Sequence, residues 1–312
     1  MLIVSIIIFV VSLFVLVKGA DIFLGSAEKI GLAAGLSPFV VGVVIVGAGT
    51  SFPELISSLV AVFKGVPEIV VANAVGSNIA NILLIIGATS IFARSIKSKT
   101  NLTNLELPIM AITSVIFLAL AWDGSIQRIE SIILLVTFGF FVAYSVLNKP
   151  KDSFTKLEGA KKPKISAKDT GLLLLGLGGL VFGSKYLIDS VVDISTIFNI
   201  APGAVSVVAV AFGTSLPELL VSIKAAIKGN TEVALGNVFG SNAFNILMVV
   251  GIPGLFSTLP IDAATMLIAV PAFVVVTLIF IISCLSNAIH KWEGFMYVIL
   301  YLIFIGKVFS IF

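Results

Sequence analysis

Long apolar runs follow one another along this chain with only short polar connectors between them, which leaves few ways for it to fold. Ten runs stand out, at about 2–28, 37–62, 69–92, 105–121, 126–147, 169–190, 202–227, 231–255, 265–284 and 292–310. Most match the roughly 20 residues that a helix needs to cross a bilayer core. Hydrophobic residues make up 59% of the chain and charged residues only 11%; a soluble domain carries about 25% charged residues. Water would not tolerate that much apolar surface, whereas lipid accepts it. The sequence therefore predicts an all-α integral membrane protein of ten transmembrane helices. The run from Leu2 to Val17 has no basic segment ahead of it and no clear small-residue cleavage site after it, so a span is expected there rather than a signal peptide.

The long polar connector, about 148–168, carries Lys149, Lys151, Lys156, Lys161, Lys162, Lys164 and Lys168. Basic residues are retained on the cytoplasmic side, so this linker is expected there, with both termini outside. On that count Arg94, Lys97, Lys99 and Lys291 fall inside, and the connector 257–264, which lacks Lys and Arg, falls outside. Lys64 and Arg128 fall outside, each near an acidic residue. The expected division is a first five-helix repeat over 1–148, a cytoplasmic linker over 149–168 and a second five-helix repeat over 169–312.

The repeat is written in the residues. The segment from Gly49 to Gly87 and the segment from Gly213 to Gly251 align without a gap at an offset of 164, with nearly half the positions identical. An odd number of spans per half makes the second half enter the membrane from the opposite side. The halves are then related by a pseudo-two-fold axis in the membrane plane, a plan that puts a shared site near the midplane.

Glu54 and Glu218 recur at equivalent depth inside apolar runs. A carboxylate there costs about 2.5–3.5 kcal/mol on insertion scales, so it normally faces a cavity and has a partner. Pro53 and Pro217 precede them and disfavour a continuous helix, freeing carbonyl oxygens one turn back. Thr50 and Ser51 share the face of Glu54 by their spacing. The following runs repeat a second polar pair, Ser77 with Asn81 and Ser241 with Asn245, behind Gly76 and Gly240, which permit close helix contact. One Ser or Asn in a membrane helix is most often an interhelical hydrogen bond. Four such positions recurring with two glutamates point instead to ion ligands. The set is all oxygen, which suits a hard cation such as calcium with its 6–8 oxygen ligands; zinc or copper would call for His or Cys. Sodium ions at overlapping positions would compete for the same carboxylates.

The motifs Gly49-Thr50-Ser51-Phe52-Pro53-Glu54 with Gly76-Ser77 and Asn81, and Gly213-Thr214-Ser215-Leu216-Pro217-Glu218 with Gly240-Ser241 and Asn245, closely resemble those of the cation/calcium antiporter superfamily, and within it the sodium/calcium exchangers. The resemblance implies exchange of calcium for sodium by alternating access. It implies calcium held by Glu54 and Glu218 with the carbonyls of Thr50 and Thr214. It implies sodium ligands at Ser51, Ser77, Asn81, Ser215, Ser241 and Asn245, joined by the carbonyls of Gly47 and Ala211. It also implies that the first and sixth spans slide across the core, and the glycines 171, 176, 178, 179 and 183 suit a sliding surface. Many members carry Asp where this chain has Asn245; the pocket here holds two full negative charges at most, which argues against potassium dependence.

A proton/calcium antiporter using the same glutamates is the alternative, and a cation channel shares the architecture. No nucleophile–base set, phosphate loop or cofactor motif appears, so neither an enzyme nor a bound cofactor is expected, and neither a nucleic-acid nor an obligatory protein partner is evident. Cys284 is the lone cysteine and excludes an intramolecular disulfide, and His290 lies in a polar connector. Lys224 stands in an apolar run where the first repeat has Val60, and is expected to snorkel toward the cytoplasmic face; Asp189 and Asp193 are expected to be solvated helix ends.

Overall fold

The computed structural model describes residues 2–97, 106–147, 165–197 and 215–308. The apolar runs become helices: α1 (Leu2–Ala33), α2 (Pro38–Phe63), α3 (Glu68–Phe92), α4 (Glu106–Leu120), α5 (Arg128–Leu147), α6 (Ala167–Ile197), α7 (Leu216–Ile227), α8 (Thr231–Gly254), α9 (Thr265–Cys284) and α10 (Lys291–Val308). Among the described residues, six of them (α1, α2, α3, α5, α8 and α9) are long and apolar enough to cross a membrane. The protein is a multi-pass membrane protein. α1 continues five residues past the apolar run, because Lys29 finds a partner there: its Nζ lies 2.6 Å from Asp169 Oδ1 on α6.

α8 and α3 form the centre. The apolar window of α8 is 94% buried and that of α3 72%, against 22% for α1 and 17% for α5, whose outer faces are left for lipid. One apolar cluster joins α2, α3, α4, α5, α8, α9 and α10 around Phe39, Ile82, Phe117, Leu134, Val238, Phe280 and Tyr297. A second joins α1, α2, α6, α7 and α8 around Leu16, Phe23, Val46, Leu180 and Val221.

The turns at the ends of α2 and α7 are alike. Gly65 and Gly229 take φ of +77° and +82°, and each closes its helix with two C-terminal hydrogen bonds. Val66 N donates to Ala61 O and Gly65 N to Val62 O; Asn230 N donates to Ala225 O and Gly229 N to Ala226 O. That geometry favours glycine at the left-handed position.

Two connector pairings were not legible in the apolar pattern. β1 (Ser95–Lys97), after α3, runs antiparallel to β4 (Ala288–His290), before α10. β2 (Ser125–Ile126), before α5, runs antiparallel to β3 (Leu259–Pro260), after α8. Arg128 reinforces the second pairing, its Nε donating to Leu255 O at 2.9 Å.

Part of the glycine run of α6 packs on α1. Gly176, Gly179 and Gly183 face α1: a Cβ on Gly176 would lie 2.5 Å from Phe23 N, and one on Gly183 would lie 2.9 Å from Leu16 N. Gly19 of α1 returns the contact, 2.9 Å from Gly179 C. Gly171 and Gly178 meet nothing within 4 Å among the described residues. Small residues let helix backbones approach closely, and here they press α1 and α6 together antiparallel.

Lys224 has partners in α1: its Nζ pairs with Asp21 Oδ2 at 2.7 Å and donates to Val17 O at 2.8 Å. Asp189 and Asp193 are exposed, as solvated helix ends are.

Candidate functional site

The site gathers where α2 breaks and where α7 begins. α2 restarts after Ser51, at φ −86°, ψ 7°, and α7 begins after Ser215, at φ −90°, ψ 1°, both outside helical geometry. Pro53 and Pro217 sit in the first turn that follows, where a missing N–H costs nothing. Glu54 and Glu218 follow in the same first turn, where the helix dipole favours a negative charge. Both glutamates are buried, 1% and 2% exposed.

The two segments meet. Ser51 Oγ donates to Glu218 Oε1 at 3.1 Å, from the break in α2 to the first turn of α7. Glu218 forms no ion pair among the described residues, and its Oε2 has no hydrogen-bond donor there. A buried carboxylate in that condition is costly unless a cation completes it. Ser215 Oγ, just ahead of α7, is buried without a partner among the described residues.

α3 and α8 contribute in matched fashion. In both, the helix widens to a π-helical stretch at the expected asparagine, Asn81–Ile86 and Asn245–Val249; such widenings are frequent at functional sites. Asn81 Nδ2 donates to Asn242 Oδ1 at 3.1 Å, and Asn245 Nδ2 donates to Asn78 Oδ1 at 3.0 Å. Each amide nitrogen is thereby engaged, leaving Asn81 Oδ1 and Asn245 Oδ1 buried without a donor among the described residues. Ser241 Oγ donates to the carbonyl of Gly47 at 3.2 Å, so α8 and the first half of α2 share a polar contact. Gly240 makes that approach possible: a Cβ there would lie 2.2 Å from Val43 O. Gly76 meets nothing within 4 Å among the described residues, so the close contact expected of it is not seen there.

Of the expected residues, the structure thus brings together Gly47, Ser51, Glu218 and Ser241, and joins Asn81 and Asn245 through Asn242 and Asn78. Thr50 is fully buried beside Asn237. Glu54 and Ser77 are buried on α2 and α3. Ala211 and Thr214 lie outside the described residues.

Four asparagines were missed. Asn73 Nδ2 donates to Glu54 O at 3.4 Å and Ser58 Oγ at 3.2 Å; Asn237 Nδ2 donates to Glu218 O at 3.3 Å and Ser222 Oγ at 2.8 Å. Asn78 Nδ2 donates to Asn242 O at 3.0 Å. All four stand at matching positions in the repeat, and that recurrence was the signal that could have found them.

Comparison with known proteins agrees with this geometry. The family profile described as sodium/calcium exchanger protein matches residues 4–147 and again 168–310. The chain is 30% identical to the sodium/calcium exchanger MaX1 of Methanosarcina acetivorans, over 100% of both chains. It is 30% identical to the inner membrane protein YrbG of Escherichia coli over 91% of this chain and 90% of that one. Its fold is similar to a solved structure of the sodium-calcium exchanger NCX_Mj soaked with zero Na+ and Ca2+, with a TM-score of 0.81 and 29% identity, covering 99% of this chain and 100% of that one. With the profile matching both of its halves, the chain belongs to the sodium/calcium exchanger family.

Proposed function

We propose that the protein moves calcium and sodium in opposite directions across the cell membrane by alternating access to one site between α2, α3, α7 and α8. The observation that carries this reading is the hydroxyl of Ser51 on the carboxylate of Glu218, which ties the two motif segments at a buried charge with no ion pair among the described residues. Calcium is bound by Glu54 and Glu218 with the carbonyls of Thr50 and Thr214. Sodium is bound by the side chains of Ser51, Ser77, Asn81, Ser215, Ser241 and Asn245 with the carbonyls of Gly47 and Ala211. The two ion sets share carboxylates and cannot load together, so one must leave before the other enters.

The same reading makes the ten helices two inverted five-helix repeats, 1–148 and 169–312, with both termini outside and the linker 149–168 in the cytoplasm. The connector pairings support it: 95–97 and 288–290 fall on one side by the span count, and 125–126 and 259–260 on the other. α1 and α6 move together across the remaining helices to open the site to either side. The relatives named as sodium/calcium exchangers favour sodium over protons as the counter-ion.

The test is calcium-45 uptake into sodium-loaded vesicles holding the purified protein. Uptake that requires the outward sodium gradient and disappears in Glu54→Gln and Glu218→Gln is the expected result. Uptake driven by a pH gradient and indifferent to sodium would overturn it.

A further inference from the structure

We propose that Asn237 is a positioning residue for sodium: it takes up the hydroxyl protons of Thr50 and Ser241, so that the oxygens around Gly47 can face the cation. This deepens the exchange reading above and rests on it. Asn237 is fully buried on α8. Its amide nitrogen lies 3.3 Å from the carbonyl of Glu218. A carbonyl only accepts, so the nitrogen must face α7. Oδ1 then faces Thr50 Oγ1 at 3.1 Å and Ser241 Oγ at 3.5 Å.

Counting protons gives the consequence. The Thr50 hydroxyl is within reach of Val46 O at 3.0 Å, Gly47 O at 3.4 Å, Asn237 Oδ1 at 3.1 Å and the Glu218 carboxylate. The Ser241 hydroxyl is within reach of Gly47 O at 3.2 Å and Asn237 Oδ1 at 3.5 Å. All of these oxygens only accept, and each hydroxyl has one proton to give. A hydroxyl that ligates a cation turns its lone pairs toward the ion and its proton away. While the Ser241 proton rests on Gly47 O, neither oxygen is well placed for sodium. Once it turns to Asn237 Oδ1, Ser241 Oγ is released and Gly47 O keeps only the backbone bond from Ser51 N at 3.2 Å, which leaves it one lone pair for the ion. The two lone pairs of Oδ1 suffice for Ser241 and Thr50 together.

Calcium, held by carboxylates and backbone carbonyls, depends less on this rearrangement. Removing Asn237 should therefore weaken sodium more than calcium. Asn73 stands at the matching position of the first repeat and makes the matching bonds to Glu54 O and Ser58 Oγ.

The test measures exchange in vesicles as internal sodium and external calcium are varied separately. Asn237→Ala is expected to raise the half-saturating sodium about tenfold, equivalent to roughly 1.4 kcal/mol, and the half-saturating calcium less than about threefold. Asn237→Asp is no rescue, because an ionised carboxylate would set an oxygen against the carbonyl of Glu218. Equal shifts in the sodium and calcium constants of Asn237→Ala would overturn the proposal. If Asn237→Ala does not fold, Asn237→Leu fills the same space without polar atoms and carries the same expectation. Glu218→Gln is run in parallel: a fully active Glu218→Gln sinks the site reading itself, whereas an inactive Glu218→Gln beside a native-like Asn237→Ala sinks the positioning role alone.

Discussion

Asn245 gives its amide nitrogen to Asn78 Oδ1 at 3.0 Å, on the other motif segment, and its own Oδ1 is left buried without a donor among the described residues. An aspartate at this position has no such donor when ionised, and two acceptor oxygens would then oppose each other in a buried place. Asn245→Asp is therefore expected to slow exchange and to lower thermal stability in detergent, by about 1–3 kcal/mol for the polar group left unsatisfied. Asn78→Ala should destabilise by a similar amount, because it orphans the Asn245 nitrogen. A native melting temperature in both variants would contradict the pairing.

The α1–α6 contact makes a sharp distinction between neighbouring glycines. A methyl at Gly176 would strike the backbone of Phe23 at 2.5 Å, whereas one at Gly178 meets nothing within 4 Å among the described residues. Gly176→Ala should part the two helices and reduce calcium uptake at least about tenfold. Gly178→Ala should transport as the native protein does, or slightly more stably by the usual gain of alanine over glycine in a helix, up to about 1 kcal/mol. Equal effects of the two substitutions would rule out the contact as described.

Lys224 and Lys228 of the α7 end both reach Asp21 of α1, at 2.7 and 3.5 Å. The pairs are partly exposed, so their strength is modest, about 1 kcal/mol or less each. A double-mutant cycle of Asp21→Asn and Lys224→Met, read by thermal unfolding, should give a coupling of that size for the closer pair. Val60 occupies the equivalent place in the first repeat, so no matching tie forms there. Shortening the tie should change uptake from one side of the membrane more than from the other, measured with the protein in both orientations.

Asp262, in the connector ahead of α9, caps that helix: Thr265 N donates to Oδ1 at 3.0 Å and the Thr265 hydroxyl donates to Oδ2. Partial burial pushes its pKa up, but these hydrogen bonds outweigh burial and leave it below the ordinary aspartate value. A lowered pKa means that the carboxylate stabilises the fold above the ordinary value and loses that contribution as pH falls through the lowered one. Asp262→Ala should cost about 1 kcal/mol at neutral pH. The difference between variant and native melting should shrink under acid; a difference that grows on acidification would be inconsistent with the cap.

The described helices were legible, and Glu54, Glu218, Asn81 and Asn245 stood out as buried polar residues, because a polar group in an apolar run is conspicuous and its recurrence more so. What the pattern could not supply was direction. A helix of a soluble protein shows an apolar face and a polar face, and its periodicity reveals which side packs inward. Here lipid and core are both apolar, so nothing in the run from Gly171 to Gly183 indicated that three of its glycines face α1 and two do not. Asn73, Asn78, Asn237 and Asn242 were passed over for a related reason: whether an amide binds an ion or holds the residue that does depends on angles around the helix. The tie between Asp21 and Lys224 joins residues far apart in sequence, and only the packing of α1 on α7 reveals it.

The short strands between helices carry a mechanical meaning. They stitch the connector before α4 to the one before α10, and the connector before α5 to the one after α8. Every helix flanking a stitch belongs to the set α3, α4, α5, α8, α9 and α10. Among the described residues α1, α2, α6 and α7 flank no stitch. Asn81 and Asn245 therefore ride on laced helices, while Ser51 and Glu218 ride on helices held to them by packing and side-chain hydrogen bonds. Under the proposed exchange, an ion that draws on both sets would act as a removable rivet between them, its radius and charge setting how tightly the two parts are fastened.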